Sequence, residues 1–297
     1  MIRKLKFHQV DWKKYSECIE NSVQKNIFAS YEFMKAVNGE NWDILIWGDY
    51  DVVMPVPFVR KFGVKFVIRP WSTQQLGIFS KTDIPTVNQK FLNFLHKNFN
   101  IRYYAFNEKN QFLNVENNLV NFTLCPEPYE KIRSRYSVHR RRNVRILNGF
   151  KDQFSFGESA DFNKFKYFFL RNQKGVPRTK LKFFWTKLEN LFTNGLLKIY
   201  YITLSDEYCS VAFILKKDNQ EYMAVFLNDK KFSSYNFSSI MIDQILQRNI
   251  EYSNFSMMGS NIPAVADFYR RFGAEEVRYY TIIASFTNVI KNRFKNR

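Results

Sequence analysis

The sequence predicts a mixed α/β (α+β) protein of two tandem halves, each a mixed, mostly antiparallel sheet flanked by helices. Three observations carry this. The second half reads as two helices, three meandering strands, a helix, a strand, a helix and a strand. The stretch Glu251–Tyr280 ends that order with an apolar run at Tyr252–Met257, a break at Gly259–Asn261 and a helical period at Ala264, Phe268 and Phe272. The 297 residues are 45% hydrophobic and 18% aromatic, with 32 Phe, so core material is plentiful.

Taken in order, Met1–Val10 alternates weakly, as an edge strand does, and Asp11–Glu20 reads as a helix. A second helix, Ala29–Val37, has Ser30 as its cap. Strands Trp42–Trp47 and Asp51–Arg60 join through a Gly48–Asp49 turn. Pro55 and Pro57 cannot donate to a ladder, so the second strand should lie at an edge or be interrupted by a bulge. Phe66–Ser80 begins and ends as strand around a polar centre. There Gln74 and Gln75 could line a substrate cleft, and Ser72 and Thr73 read as loop residues that satisfy their own backbone. Ile84–Asn98 is helical, and Ile101–Phe106 and Asn118–Leu124 are strands.

Pro126–Gly149 changes character, with seven cations between Lys131 and Arg145. The pattern gives two helices broken near Ser137, and the domain boundary is placed here, at 1–135 and 136–297. Helices follow at Asp161–Gln173 and Thr179–Asn194, the second closed by Gly195. Strands follow at Leu197–Leu204, Tyr208–Lys216 and Glu221–Asn228, then a helix at Ser238–Asn249. The helix after Gly259 starts with Pro263 in its first turn, ends at Gly273, and leads into a strand at Val277–Ser285.

A strand, a short helix with aromatic–Tyr–x–x–x–Gly–Ala, and a further strand resemble the last third of the GNAT acyltransferase fold. In that superfamily an Asn–x–x–Ala precedes the helix, and a Tyr four residues before the Gly protonates the leaving thiolate of coenzyme A. Asn261, Ala264, Tyr269 and Gly273 stand in those places, with the Asn-to-Tyr spacing one residue longer than usual. The resemblance further implies a phosphate-binding loop after the fourth strand, bordered by Phe226 and Leu227. The equivalent stretch is Ser233, Ser234, Asn236, Ser238 and Ser239. Neither of the family's loop glycines is present, and Ser233 replaces its Arg or Gln. Asn236 tolerates a left-handed backbone, and exposed amides at a helix start favour an anion.

The element order, MGSNIPAVADFYRRFGAE, SVHRRRNVRIL and QQLGIF together resemble the FemAB-like proteins, which carry two GNAT-like halves in one chain. That resemblance implies an acyltransferase. The donor it implies is acetyl-CoA or another acyl-CoA as co-substrate, with an aminoacyl-tRNA, as in FemAB relatives, as the alternative. The acceptor is a small-molecule or peptide amine. Glu221 and Asp229, at the two ends of the central strand, are candidate bases for the incoming ammonium.

The formal charge of +18 suits phosphate-bearing partners. Of Arg140, Arg141 and Arg142, neighbours about 100° apart on a helix, at most one or two can face a cleft. A non-catalytic basic module binding nucleic acid or an anionic surface is the alternative class. Cys18, Cys125 and Cys209 are dispersed and odd in number, which argues against a disulfide framework and structural zinc. No metal is expected, since His8, His96 and His139 are scattered. There is no GxSxG, P-loop or GxGxxG motif. The N-terminus has no apolar signal region and no stretch is suited to span a membrane, so the expected location is cytoplasmic. The sequence leaves the oligomeric state open.

Overall fold

The computed structural model describes residues 1–150, 152–285 and 289. The chain packs as two compact units: residues 1–119 together with the chain from Arg278, and Val120–Val277. The division therefore falls at 119/120 and not at 135/136. The reason lies in the basic stretch, where Ile132, Tyr136 and Val144 are buried in the second unit's core. Gly273 also approaches Arg135 so closely that a Cβ there would stand 2.6 Å from that of Arg135. The stretch expected as a bridge is core-forming.

The first unit runs β1 (Arg3–Lys6), α1 (Trp12–Glu20), α2 (Tyr31–Asn38), β2 (Trp42–Trp47), β3 (Val52–Lys61), β4 (Val64–Val67), β5 (Phe79–Ser80), α3 (Pro85–Asn98), β6 (Asn100–Ile101) and β7 (Tyr103–Ala105). Its sheet has the order β1-β2-β3-β4-β6, with β5 also on β3. Asp11 caps α1 by accepting from the Lys13 and Lys14 amides, and Ser30 caps α2 by accepting from that of Phe33. Trp12, Tyr15, Tyr31 and Trp42 form an aromatic cluster with ring centroids 4.8–6.4 Å apart.

β3 is neither the edge strand nor the bulged strand expected from its prolines: it lies between β2 and the β4–β5 side, and only the ladder on that second side is discontinuous. On one side it pairs with β2 throughout Val52–Pro57. On the other, β5 takes Val52 and Val53 and β4 takes Phe58–Lys61. Pro55 and Pro57 fall in the gap, and their carbonyls accept from Tyr104 Oη and the Ile68 amide on that side. A missing N–H costs nothing where no ladder runs.

The second unit begins within β8 (Leu119–Leu124) and continues through α4 (Tyr129–Ser134), α5 (Val138–Arg145), β9 (Phe154–Ser159), α6 (Lys166–Asn172), α7 (Leu181–Thr193), β10 (Leu197–Leu204), β11 (Glu207–Lys217), β12 (Gln220–Asn228), α8 (Phe237–Asn249), β13 (Asn254–Ser256), α9 (Pro263–Arg270) and β14 (Glu275–Tyr279). The sheet order is β14-β8-β13-β12-β11-β10-β9. Ser137 breaks α4 from α5 and caps α5 by accepting from the Arg140 amide. β9 went unread in the sequence, although Phe154 and Phe156 alternate with polar residues. The helix expected from Asp161 begins only at Lys166, because the Asp161 carboxylate holds the Asn163 and Lys164 amides in a tight turn. The single strand expected at Val277–Ser285 is two, β14 and β15 (Thr281–Ile283), and β15 pairs with β7. Tyr280 separates them: its carbonyl accepts from the Phe106 amide, and its ring stacks on Phe106 at 5.5 Å.

Candidate active site

The site is built where β12 leaves β13. The two strands are parallel and pair only between Gln220–Tyr222 and Asn254–Ser256. One residue further on, β12 bulges: Met223 and Val225 face consecutive residues of β11, Ile214 and Phe213, leaving Ala224 as the extra residue. A bulge bends its strand and removes backbone groups from the ladder. From there to Asn228 β12 has no strand on its β13 side among the described residues. A wedge opens between two parallel strands.

At the open end, Asp229 caps a 3-10 turn over Lys230–Tyr235 by accepting from the Lys231 amide at 3.0 Å. Asn236 then takes the left-handed backbone that α8 needs to start in a new direction, with φ 56° and ψ 31°. No side chain caps α8, so its first amides keep their capacity for an acceptor. Asn228 donates to Ser238 Oγ at 2.8 Å, which ties the strand end to the first helical turn.

A cleft of about 460 Å³ lies at this helix start, walled by α5, the 229–239 stretch and α9. Asp229, Ser233, Asn236, Ser238, Ser239 and Arg140 from the sequence analysis all line it. Arg140 is the notable member. It is 2% exposed, and its guanidinium lies 4.1 Å and 4.0 Å from the ring centres of Phe268 and Phe272. One terminal nitrogen donates to Ser239 Oγ and the other to the Phe268 carbonyl at 3.0 Å. Nε has no partner, and no carboxylate lies within ion-pair distance among the described residues. Burial holds its pKa down to about 10. A buried cation beside the positive end of a helix, with Asp267 and Asp243 near enough to act on it but no carboxylate in contact, is a place an anion would stabilise.

The other two arginines turn away. Arg141 donates to the carbonyls of Ser134 and Tyr136, and Arg142 is exposed. One of three adjacent arginines reaches the cleft.

Tyr269 lies on α9 but does not line this cleft. It is buried beside Phe122 of β8, with ring centres 5.6 Å apart, and against Phe268. Its hydroxyl has no protein hydrogen bond among the described residues. Burial pushes its pKa up to about 12, so it is a neutral O–H at physiological pH.

Other expected residues are placed elsewhere. Glu221 sits near the closed end of β12, seven residues and roughly 23 Å of strand from Asn228. Its carboxylate is 1% exposed and is held by Lys216 at 2.8 Å and Asn249 Nδ2 at 3.1 Å. That is a buried ion pair remote from the cleft and not a base for it. Asp229 lies in the cleft wall and is ion-paired with Arg171 of α6. Asn261 accepts from the Val120 amide at 3.2 Å, fixing the loop before α9 to β8. Phe226 and Leu227 lie on β12 without lining the cleft, and Leu227 O accepts from Ser210 Oγ. Ser234 is exposed outside it. Gln74 and Gln75 belong to the first unit and are buried. Gln75 there accepts from the Glu108 amide and donates to the Glu108 carboxylate.

Sequence reading missed Lys174, Lys230, Asp267 and Arg271 in the cleft wall. Asp267 and Arg271 were detectable as an i,i+4 pair, and they form an ion pair at 2.7 Å. Among the described residues no group of His, Cys, Asp and Glu could hold a metal, and no helix is long and apolar enough to cross a membrane.

No protein-family model matches the sequence, and no curated protein matches it. Solved structures do. The crystal structure of FemX is similar over 93% of this chain and 95% of its own, with a TM-score of 0.66 at 8% identity. The C-terminal DUF2156 domain of a putative lysylphosphatidylglycerol synthetase from Agrobacterium fabrum is similar over 96% and 95%, at 0.55 and 7% identity. A tandem GNAT protein from the clavulanic acid biosynthesis pathway is similar over 95% and 98%, at 0.50 and 7% identity. The fold is thus the tandem GNAT fold, with the double architecture that FemX shares.

Proposed function

We propose that this chain is an N-acyltransferase that binds an acyl-CoA in the second unit and passes the acyl group directly to an amine. The observation that carries the reading is Arg140. A buried guanidinium with an unpartnered Nε lies beside an uncapped helix start in a cleft of about 460 Å³, a size that suits a cofactor. The coenzyme A pyrophosphate supplies the missing negative charge. Asn236 and Ser238 take the place of the usual loop glycines, and the hydroxyls of Ser238 and Ser239 in the first turn of α8 donate to phosphate oxygens.

In this reading the thioester lies along the wedge between β12 and β13. A backbone amide freed by the bulge at Ala224 stabilises the oxyanion as the amine attacks. A C–N bond forms, the C–S bond breaks, and Tyr269 gives its proton to the thiolate. Asp229, in the cleft wall, takes the proton of the amine, directly or through water. No residue is acylated.

A second donor, an aminoacyl-tRNA, is favoured by two features. The 233–239 loop lacks both glycines, and the cleft wall carries Arg140, Lys174, Lys230 and Arg271 against Asp229 and Asp267. The putative lysylphosphatidylglycerol synthetase of the same fold is consistent with an aminoacyl donor. Thermal shifts with coenzyme A, acetyl-CoA and bulk tRNA, measured side by side, decide between the two. A hundredfold excess of ligand over Kd should add about 2.7 kcal/mol of stability. Protection by coenzyme A supports the first reading, and protection by tRNA alone replaces it with the second.

A further inference from the structure

Apart from Arg171, which pairs with Asp229, and Lys174 of the cleft wall, the helical hairpin α6–α7 carries a surface that the transferase chemistry does not use. Between Phe162 and Leu188 the sequence has eight cations and no carboxylate. These 27 residues hold a net +8 of the chain's +18, so the excess is concentrated here and is not spread evenly by composition. Lys166, Lys174, Arg178, Lys180 and Lys182 are exposed.

Large apolar side chains stand among them. Tyr167 is 74% exposed, Leu170 36% and Phe183 51%. Tyr167 and Leu170 are three apart on α6 and share its outer face. The inner faces of the two helices already have partners: Phe169 packs against Phe184 at 5.7 Å and against Trp185 at 5.2 Å. The outer rings are therefore surplus to the core. Lys187 lies 5.1 Å from the centre of the Phe183 ring and Arg171 5.7 Å from that of Tyr167, so cations fringe the apolar groups.

We propose that this hairpin docks on an anionic phospholipid bilayer. Lysines around exposed aromatic and aliphatic side chains satisfy both requirements of interfacial binding: attraction to acidic headgroups and apolar groups that enter the acyl boundary. Nucleic acid would be served by the cations and could stack on the rings, but it has no use for Leu170. Lys174 also belongs to the cleft wall, so docking brings the mouth of the cleft toward the lipid surface.

The test is co-sedimentation of the full chain with vesicles of phosphatidylglycerol mixed with phosphatidylcholine, and with phosphatidylcholine alone. Binding is expected only to the anionic vesicles and should weaken with salt. The double variant Lys180→Glu/Lys182→Glu should lower partitioning by about tenfold or more. The double variant Leu170→Ser/Phe183→Ser should do the same with the charge unchanged. All four positions are exposed or half-exposed at the surface, and an unchanged thermal midpoint checks that each variant is folded. Failure to bind anionic vesicles overturns the proposal. So does retention of full binding by the Ser variant. The vesicle and variant outcomes do not depend on the donor. Displacement from vesicles by equimolar bulk RNA counts against the docking surface when the Lys180→Glu/Lys182→Glu variant also loses RNA binding, since tRNA held in the cleft would leave that variant's RNA binding intact.

Discussion

Two polar groups, one in each unit, are held in opposite ways. In the first unit, Asp83 is a hub that the chain itself completes. Its carboxylate accepts from the side-chain amides of Gln24 at 2.7 Å, Asn88 at 2.8 Å and Asn110 at 3.1 Å, and from the Gln111 amide at 2.9 Å. Gln24, Asn88 and Asn110 are all buried. In the second unit Arg140 is equally buried and is left with an idle Nε and no carboxylate. Saturated polarity holds a fold together, and unsaturated polarity waits for a partner. Among the described residues Ser72 Oγ, Thr73 Oγ1 and Trp185 Nε1 are also buried without a partner, so what sets Arg140 apart is that its idle donor is a cation beside a helix start in a cleft.

The largest effect is expected at Tyr269, the proton donor of the proposed reaction. Tyr269→Phe keeps the ring that packs on Phe122 and removes only the proton. Turnover, followed by thiol release from acyl-CoA, should fall about a hundred- to ten-thousandfold, with the thermal midpoint unchanged. An unaltered rate would remove Tyr269 from the mechanism and leave it among the core aromatics.

Arg140 sharpens the comparison itself. Arg140→Ala should weaken coenzyme A binding by about ten- to a hundredfold, the equivalent of a hydrogen-bonded charge. Arg141→Ala and Arg142→Ala should each change it by less than about threefold. Arg140→Met should keep the ligand-free stability within about 1 kcal/mol, because an apolar chain fits between Phe268 and Phe272. A large loss of stability in the Met variant, with ligand affinity retained, would make Arg140 structural like Asp83.

Asp83→Ala should show the reverse pattern. Four donors lose their acceptor, so the first unit should be destabilised by about 2–4 kcal/mol in denaturant unfolding, with coenzyme A affinity unchanged. The smallest functional effect should be that of Glu221→Gln. It breaks the ion pair with Lys216 and should lower stability by about 1–3 kcal/mol, yet change turnover less than about twofold. A drop in turnover comparable to that of Tyr269→Phe would return Glu221 to the reaction.

Much of the fold was legible because local signals and tertiary demands agree. Asp11, Ser30 and Ser137 act as the caps they look like, and Gly273 follows its helix with φ +73°. Pro55 and Pro57 pointed to an edge or a bulge; the strand is interior and unbulged, and a gap between its pairings with β5 and β4 accommodates them instead. The 233–239 loop was found by its place in the element order, and four of the five residues named from it for cofactor contact line the cleft.

Linear reading determined the element order, the caps, the aromatic core and the loop at the start of α8. Each rests on residues within a turn or two of one another, where periodicity and backbone preference act directly. It could not decide which of three consecutive arginines turns inward, because all three have the same local environment. Ser239 and Phe268, about a hundred residues away, make that choice for Arg140. Nor could it find the bulge at Ala224, which depends on how β12 registers against β11. It also placed Glu221 and Asp229 as equals at two ends of one strand. Only the three-dimensional packing set one of them in the cleft wall and buried the other against Lys216. Side-chain direction, register and the sharing of buried charge are long-range properties, and they are what divide a site from a scaffold.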